Sequence, residues 1–483
     1  MGNSLNYFNS RENNKAERVS GNKRKRDECP ELNNAGLELL NTPKRKRIKS
    51  TSKYIYQTLF LDGENSDVTL HVLGQEWKLH KLYLKQSPYF ASMFSGAWKE
   101  SDMPRIELDI IDENITCEAL KIAFGSLYKD DVFIKPVQLT SVIATATLLQ
   151  LEGLLLQCQV MMKDTLSSAT VCDYYYASCS YGLKDVSIQC LDWLTRNILI
   201  AANLTFIKDV TADLMKTVIA SPHLVVIQVE IDLYTLLKKW IFLIHNKSWT
   251  GDNKDLVKAT DLFYKEKQSE CPGLCYLETD EGRQYVPVFS AVRWHHVVND
   301  LTSLRMIENE KILPHSWLEP MFLYGWRRVL AVEQGHDKGP IEKVDNEVFN
   351  TCCARFGRLI HKAGEYCWRW IGYSYGVDLL LSITSGRLVT VKRNTHTQAC
   401  SQAVSLQDQR YIAYRLTICS FDCDGKELSR KSTDVKHISL GKDEEEIALV
   451  LDSDQKFPIS VSMNVLLISP GQEPLPGLKY PNR

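Results

Sequence analysis

Residues Ser66–Leu108 read SDVTLHVLGQEWKLHKLYLKQSPYFASMFSGAWKESDMPRIEL, and the fold is decided here. Val68, Leu70 and Val72 alternate with Thr69 and His71, the period of a strand with one buried face. Gly74-Gln75 reads as a turn and Glu76 to Leu79 as the returning strand. A helix begins near His80 or Lys81. Ser87-Pro88 sets an N-cap before a proline at the first helical position, so a second short helix runs through Phe94. Gly96 suits its stop. Ile106 and Leu108 open another strand. The predicted order is hairpin, two helices, strand.

Around this order, SDV, LHK, SPYFASMF and IEL closely resemble the BTB (POZ) domain. The resemblance continues through ALKIAFGSLYKDDV (Ala119 to Val132) and VIATATLLQLEGLLLQC (Val142 to Cys158), the latter an almost wholly apolar helix fit for a central position. Farther out, LLNTPKRKRIKSTSKYIYQTLFLDGENSD (Leu39 to Asp67) and GEYCWRWIGYSYGVDLLL (Gly364 to Leu381) are similar to the germ cell-less protein family.

The chain has 483 residues, 44% hydrophobic and 24% charged, an ordinary globular balance with material for about three domains. Its net charge of -1 hides an asymmetry: residues 1–52 carry twelve Lys/Arg against six Asp/Glu, and the rest is mildly acidic. A basic tail on an acidic body suggests targeting more than nucleic-acid binding. The 14 cysteines are scattered and no apolar leader precedes them, so reduced thiols are expected. No apolar run approaches the roughly 18 residues of a membrane span.

Taken in order, residues 1–52 lack hydrophobic periodicity and read as a disordered basic tail. Two clusters, Lys23-Arg24-Lys25-Arg26 and Lys44-Arg45-Lys46-Arg47 with Lys49, fit the acidic grooves of a nuclear import receptor. Gly2 begins a partial N-myristoylation pattern in which Asn6 replaces the preferred Ser or Thr; if modified, it adds membrane association. Residues 53–163 form the BTB-like α/β unit. Residues 164–270 are helical and resemble the BACK domain, with Trp193 and Trp240 as core anchors. Residues 271–483 form a C-terminal domain, β-rich from about residue 364, with strands suited to a sandwich or barrel. Gln334 to Asn346 reads as an exposed linker. The fold class is therefore multidomain α+β.

Catalytic patterns are weak. Gly372-Tyr373-Ser374-Tyr375-Gly376 matches a nucleophile elbow, but strand-like residues follow it where a helix is required. Cys271 with Cys275, Cys419 with Cys423, and His295-His296 lack the regular paired spacing of structural zinc. No enzyme activity, cofactor or metal is expected.

What the family resemblance implies is a binding protein. Trp98-Lys99-Glu100 follows the second helix and is similar to the segment by which BTB adaptors grip Cullin-3, with Met93, Phe94 and Tyr128 expected on the adjoining surface. An exposed aromatic fills an apolar notch, while a carboxylate accepts bonds at a helix end. Asp67 and Lys81 match charged positions at the BTB dimer interface, where opposite charges fix register. The resemblance thus implies a homodimeric, substrate-recruiting adaptor of a Cullin-3 RING ubiquitin ligase in germ-cell development. It implies association with the nucleus or nuclear envelope and an unknown protein substrate held by the C-terminal domain. The alternative is a nuclear-envelope scaffold or corepressor partner without a ubiquitination role.

Overall fold

The structure is a computed structural model. It describes residues 50–469 apart from 97, 131, 202–203, 299, 385–386, 395–403 and 423–425, together with 472. The expectations for Gly2 and for the two basic clusters, Lys23 to Arg26 and Lys44 to Lys49, lie outside the described residues.

Strand β1 (Val68–Val72) pairs antiparallel with β2 (Gln75–Leu79) and parallel with β3 (Arg105–Leu108). Val72 faces Gln75, so the two turn residues are Leu73 and Gly74, at φ 48° and 72°. The turn therefore sits one residue earlier than the sequence predicts. A two-residue hairpin that follows strand twist takes positive φ at both central positions. Helices α1 (Lys81–Leu84) and α2 (Pro88–Met93) come next. The Ser87 hydroxyl caps α2 by accepting the Phe90 N–H at 3.4 Å, and it donates to the Leu149 carbonyl at 2.5 Å. One side chain thus starts a helix and ties it to the element beneath.

Helix α3 (Cys117–Ser126) leads into α4 (Leu139–Leu148) and α5 (Glu152–Asp164). The single apolar helix expected from Val142 to Cys158 is two helices, broken where Gln150 adopts φ 54°. Within α4 the buried Thr145 satisfies its hydroxyl by donating to the Ser141 carbonyl at 2.8 Å.

Helices α6 (Val171–Ser180), α7 (Lys184–Asn197), α8 (Ala212–Ala220), α9 (Ile231–His245) and α10 (Asn253–Glu270) follow. Leu233, Leu236, Leu237, Trp240 and Ile241 make α9 the buried centre of this region. Trp240 packs fully and donates its indole N–H to the Val210 carbonyl at 2.9 Å. Shorter turns precede α11 (Leu301–Glu310), α12 (His315–Glu333) and α13 (Asn346–Cys352). One hydrophobic core runs from Phe60 to Leu318, shared by the hairpin unit and the helices.

A second core begins at Val344. One sheet has the order β10-β8-β12-β4, with β9 also on β8, and the other β11-β7-β6-β5. The strands are β4 (Ala354–Ile360), β5 (Tyr366–Gly372), β6 (Val377–Thr384), β7 (Leu388–Arg393), β8 (Gln409–Phe421), β9 (Glu427–Ser432), β10 (Lys436–Gly441), β11 (Glu445–Val450) and β12 (Ile459–Leu466). Both sheets contribute to the same core, so the architecture is a sandwich.

Two buried ion pairs hold the sandwich to what precedes it. Arg355 on β4 meets Glu230 in a two-pronged pair, Nε–Oε1 2.7 Å and Nη2–Oε2 3.0 Å, with neither side chain more than 1% exposed. Its remaining nitrogen donates to the Ile219 and Ser221 carbonyls at 3.1 and 3.0 Å. Asp337 pairs with Arg410 at 2.5 Å, again fully buried. Asp337 lies in the segment read as an exposed linker. That segment is instead anchored, because a carboxylate reaching a buried guanidinium must go in with it.

Candidate functional site

The loop after α2 is built on Ser101. Its hydroxyl accepts the Gly96 N–H at 3.1 Å and donates to the Met93 carbonyl at 2.9 Å. Its carbonyl accepts the Lys81 ammonium at 2.7 Å. That ammonium also lies 5.2 Å from the centre of the Phe94 ring. Lys99–Ser101 forms one 3-10 turn, closed by the Ser101 N–H on the Trp98 carbonyl at 3.1 Å. The result is a fixed loop that leaves Trp98 61% exposed. Lys99 is exposed, while Met93 and Glu100 are half-buried. Burial, and then the charge of Glu100, push the Tyr89 phenol upward.

Phe94 and Tyr128 are buried, so they back the loop surface and do not face a partner directly. This corrects the expectation that both line it. Tyr128 stacks on Tyr83 with centroids 4.3 Å apart, and its hydroxyl accepts the His80 backbone N–H at 3.0 Å. The His80 ring is bound on both sides, Nε2 to the Glu64 carbonyl at 2.9 Å and Nδ1 to the Tyr128 hydroxyl at 3.1 Å. A carbonyl only accepts, so Nε2 carries the proton and Nδ1 accepts from Tyr128. Sequence reasoning passed over His80, although the LHK triplet contains it.

Asp67 and Lys81 do meet, but not as side-chain ions. The Asp67 carboxylate accepts the backbone N–H of Lys81 at 2.7 Å, and the Lys81 ammonium goes to Ser101.

The weaker patterns resolve into structure. Tyr373–Tyr375 is a 3-10 turn between antiparallel β5 and β6, without the strand-to-helix elbow. Tyr375 is buried beneath the Arg328 guanidinium, 5.1 Å from the ring centre. His296 contacts the Cys352 carbonyl at 3.0 Å, and burial pushes its imidazole down to about 4. Cys423 lies outside the described residues. Among the described residues, no group of three or more His, Cys, Asp or Glu is placed to hold a metal ion. Nor is any helix among them long and apolar enough to cross a membrane.

Residues 56–166 match the family model of the BTB/POZ domain. The chain is 47% identical over 433 residues to Germ cell-less protein-like 1 of Homo sapiens, covering 89% of this chain and 84% of that protein. It is 45% identical to Germ cell-less protein-like 2 of Homo sapiens, covering 92% and 84%. The match to Protein germ cell-less of Drosophila melanogaster is 33% identical, over 93% and 83%. The chain belongs to the germ cell-less protein family. In this germ cell-less family member the exposed Trp98 and the Ser101 clamp fall inside the BTB domain, and the similarity to these relatives extends over about nine-tenths of the chain.

Proposed function

We propose that this germ cell-less family member is a substrate-recruiting adaptor of a Cullin-3 RING ubiquitin ligase, with a role in germ-cell development. The supporting observation is Trp98: a large aromatic, 61% exposed, on a loop fixed by four bonds to Ser101. An apolar anchor held still before binding loses little freedom on binding, which is what a central contact residue requires. Trp98 fills an apolar notch of the cullin, Lys99 and Glu100 flank it, and Met93 adjoins it. Phe94 and Tyr128 hold the platform from beneath.

In this reading the BTB unit dimerises, with Asp67 and Lys81 near the two-fold. The helical region after it acts as the BACK-like spacer, and the C-terminal domain selects the protein target. The basic clusters in residues 1–52 direct the protein to the nucleus and its envelope. The protein acts by holding partners rather than by catalysis. Co-elution of the full chain with the N-terminal domain of Cullin-3 tests the reading. A complex that forms with the wild type and is lost in Trp98→Ala supports it; no complex at micromolar concentrations overturns it.

A further inference from the structure

Strand β8 is two-faced. Ile412, Tyr414, Leu416 and Ile418 point into the sandwich core, so Arg415, Thr417 and Cys419 point the other way. Register continues this outer row onto β12, with Arg415 opposite Asn464 and Thr417 opposite Ser462. It continues onto β9, with Thr417 opposite Ser432 and Cys419 opposite Arg430. This polar face is open to solvent at its β9 edge, where Arg430 and Ser432 lie. It meets Arg196 of α7 and the loop Pro222 to Val225 across a cavity of about 210 Å³.

The charges in the seam are unequal. Arg196 pairs with Asp192 and Glu427, and Arg430 reaches the same two carboxylates at 3.5 and 3.4 Å. Arg415 has no carboxylate among its described partners. One terminal nitrogen makes both of its bonds, to the Pro222 carbonyl and to Asn350 Oδ1, each 3.1 Å. The guanidinium rests 5.5 Å from the Phe349 ring centre. Three guanidiniums therefore share two carboxylates, and Arg415 carries the uncompensated charge. His223 at the rim senses the field: burial, then the charges of Arg415, Arg430 and Arg196, hold its imidazole below the ordinary range.

We propose that this cleft is a phosphate-binding site whose ligand is the phosphorylated side chain of a peptide. Guanidiniums with hydroxyls and a side-chain amide around one cavity make the donor set that phosphate oxygens need. The cavity is smaller than the roughly 300–1,000 Å³ of whole-ligand pockets, which suits a side chain and not a nucleotide. Asp192 and Glu427 stand beside Arg196 and Arg430, so the phosphoryl group takes the Arg415 end, near Thr417, Ser462 and Asn464. The peptide source of the phosphate rests on the adaptor reading, in which the C-terminal domain holds a protein target. The anion site itself does not.

The test titrates the full chain by calorimetry with three probes. They are a phosphoserine pentapeptide with glycine flanks, the same peptide unphosphorylated, and inorganic phosphate. The expected result is binding of the phosphopeptide at least about tenfold tighter than its unphosphorylated form, the scale of one lost charge-assisted bond. Arg415→Gln reduces that affinity by about tenfold or more, whereas Arg430→Gln, whose guanidinium is held by Asp192 and Glu427, changes it less. Because Arg415 also holds Pro222, the pair Thr417→Ala and Ser462→Ala carries the test if Arg415→Gln fails to fold. Equal binding of the two peptides, or unchanged affinity in folded variants, overturns the site. Binding of inorganic phosphate alone overturns the peptide source. Cullin-3 co-elution is measured on the same preparation. Phosphopeptide binding without the cullin overturns the adaptor reading and leaves the site standing; the cullin without the phosphopeptide does the reverse.

Discussion

The Asp67 carboxylate accepts the backbone N–H of Lys81 at 2.7 Å, while the Lys81 ammonium turns away to the Ser101 carbonyl. Two residues of opposite charge are each used for a different task. Asp67, just before β1, caps α1, and Lys81 braces the loop that carries Trp98. Asp67→Ala should therefore cost about 1 kcal/mol of stability, the usual value of a lost cap. Asp67→Asn, which keeps an accepting oxygen, should cost less. Urea unfolding of both variants checks this, and light scattering on the same samples separates a cap from a dimer contact.

Trp98 should matter to binding and hardly to folding. It is 61% exposed, so Trp98→Ala leaves few core contacts to lose. Its loss from a binding centre should cost about 2 kcal/mol or more, roughly thirtyfold in affinity for the cullin. Calorimetry against the Cullin-3 N-terminal domain reads the affinity, and thermal melting reads the fold. Lys81→Met should weaken binding without touching the contact residues, because it releases Ser101.

Arg355 and Glu230 should behave as a unit. Removing one partner leaves a buried charge alone, so Arg355→Met or Glu230→Leu should each cost about 3–5 kcal/mol. The double variant should cost less than the two single changes added together, and denaturant unfolding of all four proteins gives the coupling. Burial pushes the Glu230 carboxyl upward, but the charge and hydrogen bonds of Arg355 outweigh it and the net shift is downward. Its stabilisation is present above the ordinary carboxylate range and is lost as pH falls through the lowered folded value.

The histidines add a second, earlier acid response. Burial lowers His296 to about 4 and His295 well below its ordinary value. The unfolded chain then binds protons that the folded chain refuses. Stability is complete above about pH 6.5 and falls toward pH 4, with a slope of up to about 1.4 kcal/mol per pH unit for each histidine. His296→Gln should flatten that slope in unfolding experiments between these pH values.

Neutralising Lys44, Arg45, Lys46 and Arg47 should move the protein to the cytoplasm, and neutralising Lys23 to Arg26 should do so less. Imaging of a fluorescent fusion checks both. Unchanged nuclear signal after both changes would remove the import reading.

The hairpin, the two helices and their caps were legible because each is specified locally: Val68, Leu70 and Val72 by alternation, Ser87-Pro88 by its capping chemistry. Trp98 was legible by its position after α2. What escaped was set at a distance. Strand β4 begins with ARFG, whose buried Arg355 finds its partner 125 residues earlier. No local period announces that. Gly357 on the same strand is required because a Cβ there would stand 2.5 Å from the carbonyls of Val226 and Val461. Asp337 looked like a linker residue until Arg410, 73 residues later, was beside it. Tyr128 and Phe94 were placed on the surface because sequence shows that a side chain is near a loop, not which way it faces.

Arg355 also has a mechanical consequence. Its guanidinium grips the end of α8 through two carbonyls and the start of α9 through Glu230. A hinge between helices and sandwich would have to strip four bonds from a buried cation. The sandwich is thus clamped to the helices. On the adaptor reading, a target carried on the sandwich would ride at a set reach and bearing from Trp98. On that reading, any swing that brings the target to its modifying enzyme would have to come from the target or from the partner held at Trp98.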